Sequence, residues 1–247
     1  MSAVTPTSPP PRARHEIHTK VLAMIRGLDC SAGHAFDAPL GPGALARELL
    51  ALGWRVSGVD LDLQQSDGLP ASVDRRKANL NEPLPFDDAK FDLVTSLEGI
   101  EHVENHFLML RELGRLTKPG GHLIISTPNI GNLEDRLNFL LRGAFYRYIT
   151  REEIERHGSG FDHQNLISFL ELRQVIDWAG FDLLAIEKDR VKWKQNVFLF
   201  PFWCVIKLLE KAQSARRKSK YCLAETNSGN VLLGGPTLIL LARKRGA

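Results

Sequence analysis

The sequence predicts an α/β fold built on a doubly wound, mostly parallel sheet of about seven strands. Three observations predict it. Short apolar runs alternate with helical stripes at the spacing of βαβ units. The first two strands each end in an acid, Asp37 and Asp60. A Gly/Pro turn, Ala38-Pro39-Leu40-Gly41-Pro42-Gly43, leads from the first strand into a helix. Crossovers of this kind are right-handed.

The elements follow in order. Residues 15–28 carry Ile17, Val21, Leu22, Met24 and Ile25 at helical spacing. His34 to Phe36 is the first strand, and residues 44–52 form a helix stopped by Gly53. Residues 55–59 are the second strand, and residues 73–80 hold a short third one. Residues 91–97 are the fourth, followed by a helix over 104–116. Lys118-Pro119-Gly120-Gly121 reads as a turn before a fifth strand over 122–126. Helices are expected over 133–141 and 168–178, with a strand over 181–186. An apolar helix around Pro201 spans 197–213, and Thr237 to Ala242 is the last strand. Residues 1–13 read as a disordered Pro/Ser/Thr-rich tail. Residues 14–247 read as one domain, with insertions at about 130–165 and 190–235.

Composition narrows the class of partner. Of the 247 residues, 43% are hydrophobic and 25% charged, as in ordinary globular proteins. The net charge of +3 is too even to argue for nucleic acid. Cys30, Cys204 and Cys222 are widely spaced and odd in number, which excludes a CxxC zinc pattern and an all-paired intramolecular disulfide framework. A reducing cytoplasm fits that usage. No run of 18 apolar residues predicts a membrane span.

In an open parallel sheet, ligands bind beyond the carboxyl ends of the strands, at the switch point. Gly41 and Gly43 permit close backbone approach there. Asp60, 17 residues after Gly43, can accept both hydroxyls of a ribose. Gly41 to Ala46 also satisfies the dinucleotide pattern G-x-G-x-x-G/A. Two cofactor classes therefore remain open on these residues alone.

Further motifs carry a resemblance. Asp37, Gly41 and Gly43 match an acidic, glycine-rich first motif, with Pro39 where a glycine is usual. Asp60 in VSGVDLD matches a ribose-binding acid. Asn79-Leu80, ahead of NEPLPF, matches an adenine-edge segment in which Asp is commoner. FDLV, then Leu97-Glu98-Gly99-Ile100-Glu101-His102-Val103, matches a fourth-strand motif, and LTKPGGHL precedes the fifth strand. Over residues 30–130 the chain resembles the class I S-adenosylmethionine-dependent methyltransferases, in particular the quinone-biosynthesis O-methyltransferases. The resemblance extends more loosely to His163 and Ala179.

It implies a Rossmann-like sheet with a final antiparallel strand, S-adenosyl-L-methionine as cofactor, and methyl transfer to a small-molecule acceptor, at oxygen; the apolar and basic segment over 197–220 adds a lipid-linked acceptor. It further implies that Asp37 supports the methionine tail and that Gly41 and Gly43 let tail and ribose lie on the backbone. Asp60 would hold the ribose and Leu61 would pack on adenine. Asn79 and the Leu80 amide would read the adenine edge, and Leu97 would complete the wall. Backbone N–H groups at 38, 40 and 41 stay available beside Pro39. The competing readings are a turn cap for Asp37, a turn or capping acid for Asp60 and a turn residue for Asn79. At the level of function, a nicotinamide-dependent oxidoreductase and a methyltransferase-like binding protein without turnover are the alternatives.

On the acceptor side, His102 is the candidate general base, with a loop-holding role as its alternative. Glu98, Glu101 and His102 form E-x-x-E-H, linked to a divalent metal in the quinone enzymes; no metal is assigned to this chain. His157, Asp162 and His163 fall in an insertion that Gly158-Ser159-Gly160 would let move as a lid. Phe139, Phe145, Tyr146 and Tyr148 are candidates to wall an acceptor pocket. Residues 197–209 are strongly apolar, and Lys211, Arg216, Arg217, Lys218 and Lys220 follow without an acid. That combination suits peripheral contact through 197–220 with the inner face of a membrane.

Overall fold

A computed structural model describes residues 15–145, 152, 155 and 165–246. The expected N-terminal tail, Tyr146, Tyr148, His157, Gly158 to Gly160, Asp162 and His163 lie outside the described residues. The element order is α1 (His15–Arg26), β1 (His34–Asp37), α2 (Ala44–Ala51), β2 (Arg55–Asp60), β3 (Asp74–Lys77), β4 (Phe91–Leu97), α3 (His106–Leu116) and β5 (Thr117–Pro128). Then come α4 (Leu133–Arg142), α5 (Phe169–Trp178), β6 (Phe181–Lys188), α6 (Trp193–Ala212), α7 (Ala215–Lys220), α8 (Leu223–Thr226), α9 (Gly229–Leu232) and β7 (Thr237–Lys244).

The seven strands form one sheet in the order β3-β2-β1-β4-β5-β7-β6. The pairs β2–β3, β1–β2, β1–β4 and β4–β5 are parallel. β7 runs antiparallel to both β5 and β6, as the final strand was expected to do. The switch point lies between β1 and β4, where the strand order reverses.

Period-2 alternation assigns the strand residues to two cores. Phe36, Val94, Leu123, Ile125 and Leu240 pack with α3 and α5 in one. Ala35, Leu93, Ile124 and Ile239 pack with α1 and α2 in the other. Both faces of the central strands are thus covered, which is why those strands read as nearly continuous apolar runs. α3 is capped by Asn105, whose side chain accepts from the Leu108 amide, and it packs tightly on the end of α5 through Gly114. A Cβ on Gly114 would sit 2.5 Å from the Ala179 carbonyl oxygen.

The boundaries follow expectation for β3 but not for the apolar helix, which starts at Trp193 rather than 197, nor for β5. β3 falls within 73–80 and is short, as expected, because it is a polar edge strand, DRRK, and the chain leaves it at Ala78 for a turn. β5 begins at Thr117 and includes the Lys118-Pro119-Gly120-Gly121 segment that composition assigns to a turn. Phe91 pairs with Thr117 and Leu93 with His122, so the segment bulges inside the strand. Gly120 takes φ +78°, and a Cβ on Gly121 would lie 3.0 Å from the Asp92 carbonyl oxygen. Lys118 Nζ bonds Asp92 Oδ1 at 2.7 Å, and Asp92 Oδ2 accepts from the His34 amide at 2.9 Å. The motif is a clamp across β1, β4 and β5.

Gly43 caps α2 at φ +73°. A Cβ there would lie 2.6 Å from Leu69 Cδ1, in the second core. Gly43→Ala is expected to cost about 3 kcal/mol through left-handed strain and overpacking. Thermal melts should show a fall of roughly 6–12 °C at this chain length. A fall below about 2 °C would mean that the loop relaxes freely.

Candidate active site

A cleft of about 800 Å³ opens beyond the carboxyl ends of β1, β2, β3 and β4. Asp37, Gly41, Asp60, Leu61, Asn79, Leu80, Leu97 and His102 all line it. Gly43 does not. A Cβ on it would run into Leu69, and its left-handed backbone turns the chain into α2, between Pro42 and Ala44, which do line the cleft.

Asp37 ends β1 and is 3% exposed. Its Oδ1 accepts from Thr95 Oγ1 at 2.7 Å. Burial pushes its carboxyl up to about 7; the Thr95 hydrogen bond opposes the shift and the neighbouring Asp60 charge adds to it. At neutral pH the cleft floor therefore holds an acid poised to ionise when a cation arrives. Asp60 ends β2, with Oδ2 accepting from the Gly41 amide at 2.7 Å and Oδ1 from the Asp62 amide at 3.0 Å. Each carboxylate oxygen keeps a further acceptor direction.

The loop between these acids is closely drawn. The Ala38 amide bonds the Thr95 carbonyl at 3.0 Å, the Leu40 amide bonds the Val59 carbonyl at 2.8 Å, and the Gly41 amide bonds Asp60. The N–H groups expected to be available at 38, 40 and 41 are thus engaged within the protein. Gly41 sits at φ +51° with no atom within 4 Å of a built Cβ, so its side-chain position is open space. Pro39 packs against Gly99, where a Cβ would lie 2.4 Å from Pro39 Cδ. Gly58, inside β2, admits the loop in the same way, its Cβ position being 2.7 Å from the Asp37 carbonyl oxygen. Sequence reasoning missed Gly58 and Gly99. A glycine inside the strand run VSGVD is the signal for the first of them.

Asn79 is committed to the turn after β3. Its Oδ1 accepts from the Asn81 amide at 3.0 Å and from Asn81 Nδ2 at 3.2 Å, and its Nδ2 donates to Glu82 at 3.3 Å. The turn reading of Asn79 is the one this geometry supports. Leu61 is 62% exposed at the rim, whereas Leu80 is buried in the wall. His18 of α1 also lines the cleft. Its distance in sequence from every motif hid it.

His102 closes a 3-10 turn over Ile100–His102 and is half-buried at the cleft. Glu98 precedes this turn at φ +50°, its Oε1 accepting from Ser126 Oγ at 3.1 Å. Glu101 is fully buried. Among the described residues, no group of three His, Cys, Asp or Glu side chains is arranged to hold a metal ion.

An acid closing each of two adjacent strands, an open glycine between them and a mixed polar and apolar wall define a cleft for a nucleoside-bearing cofactor. Comparisons with known proteins narrow that class. Residues 36–125 match the family model described as a methyltransferase domain. The ubiquinone biosynthesis O-methyltransferase of Nitrosococcus oceani is 33% identical over 180 residues, which cover 62% of this chain and 73% of that protein. The protein of the same name from Coxiella burnetii is 33% identical over 159 residues, covering 62% of this chain and 65% of its own. An S-adenosylmethionine-dependent methyltransferase from Mesorhizobium loti shares the fold at a TM-score of 0.54 and 18% identity, covering 90% of this chain and 96% of that one. The phosphoethanolamine N-methyltransferase 2 of Haemonchus contortus, solved with S-adenosyl-L-methionine, shares it at 0.56 and 17%, covering 92% and 53%.

The chain belongs to the class I S-adenosylmethionine-dependent methyltransferases. It is a transferase, and its cofactor is S-adenosyl-L-methionine.

Proposed function

We propose that the chain transfers the methyl group to an oxygen of a small-molecule or lipid-linked acceptor, with His102 as general base. One observation carries this reading: His102 lines the same cleft as Asp37, Gly41 and Asp60. The oxygen preference follows the two named relatives, both O-methyltransferases.

When bound, S-adenosylmethionine supplies a methyl group on a positively charged sulfur, a leaving group that needs no protonation. The protein's work is then mostly alignment and exclusion of water. Asp37, ionised, accepts from the ammonium of the methionine tail. Gly41 lets the tail and ribose lie close to the backbone, and Asp60 accepts from the ribose hydroxyls. Leu61 covers the base from the rim, while Leu80 and Leu97 wall it. Asn79 shapes the turn that presents the Leu80 amide. His102 takes the proton from the acceptor hydroxyl. Residues 14–247 act as one domain, the segments 130–165 and 190–235 shaping the acceptor side. Free thiols at Cys30, Cys204 and Cys222 support a reducing, cytoplasmic setting.

Turnover of hydroxylated acceptors, free and lipid-linked, is read as S-adenosylhomocysteine formed. His102→Ala is expected to lower kcat about 100- to 1,000-fold while S-adenosylhomocysteine binds within about twofold of wild type. Unchanged kcat in the variant, or no product from any hydroxyl acceptor, would refute the assignment.

A further inference from the structure

Helix α6 turns an apolar face to solvent. In a surface helix the apolar side packs inward and the charged side meets water. Here the side turned to the protein is half-buried and carries Asn196, Leu199, Trp203, Ile206, Lys207 and Glu210. Asn196, Lys207 and Glu210 are bonded there: Asn196 Nδ2 donates to the Leu233 carbonyl at 3.1 Å, and Lys207 pairs with Glu210 at 2.7 Å. The outward side presents Val197, Phe198, Phe202, Val205, Leu208 and Leu209. Phe198 is 80% exposed and Leu208 69%. Between Lys194 and Lys211 this outward side bears no charged residue. A contiguous apolar face of this kind marks an interaction surface.

Charge decides what covers it. Residues 191–224 hold eight basic residues and one acidic residue, Glu210, which is the one paired with Lys207. Arg216, Arg217, Lys218 and Lys220 make up most of α7, directly after α6. They form no ion pair with a carboxylate among the described residues. A second copy of the chain would set one cationic cluster against another. An anionic lipid surface meets both features, taking the apolar side into its acyl boundary and the cations at its headgroups. Trp193 and Tyr221 flank the segment as amphipathic aromatics suited to that depth. No helix among the described residues is long and apolar enough to cross a membrane, so α6 lies along the surface.

Topology aims this surface. β5 and β6 are both antiparallel to β7, so they run parallel to each other. α4 and α6 therefore leave the sheet at the edge where the cleft opens. They are joined there by Lys192 and Glu134, 2.6 Å apart, and α4 exposes Leu140 and Leu141 beside it.

We propose that α6 and α7 dock the enzyme on an anionic bilayer with the cleft edge toward the lipid. The proposal rests on this surface and not on the methyl-transfer reading. The test is co-sedimentation of the full chain with vesicles of phosphatidylcholine alone or with about 30% phosphatidylglycerol. Binding is expected to be at least about tenfold stronger to the anionic vesicles. Phe198→Asp with Leu208→Asp should weaken it about tenfold or more. Arg216→Gln, Arg217→Gln and Lys218→Gln together should remove the preference for phosphatidylglycerol. Calorimetry with S-adenosylhomocysteine should be unchanged in both variants, which separates loss of docking from loss of fold or cofactor. Wild type that binds no vesicle, or binds them regardless of these substitutions, would overturn the proposal. So would a wild-type dimer that Phe198→Asp dissociates, with no vesicle binding.

Discussion

Asp60→Ala is expected to weaken S-adenosylhomocysteine binding about 100-fold, because two charge-assisted hydrogen bonds to the ribose are lost together. The carboxylate also holds the loop, accepting from the Gly41 amide at 2.7 Å. Its removal frees Gly41, whose side-chain position is open space. Asp60→Asn retains the shape but offers a single acceptor oxygen, and should fall between the two. Isothermal titration reads the series directly, with far-UV circular dichroism to show that the sheet is intact. Affinity within about threefold of wild type in Asp60→Ala would remove Asp60 from the cofactor site.

The second large effect is a pH dependence. Asp37 lies at about 7 against an ordinary 3.8, chiefly through burial. If its ionised form accepts from the ligand ammonium, affinity must fall as pH drops below about 7. Between pH 7.5 and 6 the ionised fraction falls by roughly a factor of eight, and the association constant should follow it. Asp37→Asn should bind more weakly and flatten the profile. A flat wild-type profile over this range would exclude the contact. The same shift acts on stability with a definite sign. A carboxyl raised in the folded state holds its proton longer there than in the unfolded chain. The ligand-free protein should therefore lose stability as pH rises from about 4 to about 7, and bound ligand should offset that loss.

The fold was legible wherever burial sets the pattern. β1, β2 and β4 are covered on both faces, and their ends at Asp37, Asp60 and Leu97 follow from their apolar runs. Reading failed where glycine serves two purposes. Gly120 and Gly121 suit a turn, yet they permit a bulge inside β5 whose other half is Asp92, 28 residues earlier. Such distinctions depend on atoms distant in sequence. The raised carboxyl of Asp37 depends on complete burial, which four strand residues do not reveal. Helix α6 was legible as apolar and basic. Which side faced outward was not, because nearly every turn of it is hydrophobic.

The order of the sheet carries a consequence for how such enzymes diverge. The lining of the cofactor cleft comes from α1 and from the loops after β1 to β4, and the family match runs over 36–125, from β1 into β5. The amphipathic outgrowths follow β5 and β6, on the other side of the switch point. Changes confined to these outgrowths leave the residues that line the cleft in place. The cleft and the outgrowths are thus two regions of one sheet that can change independently of each other.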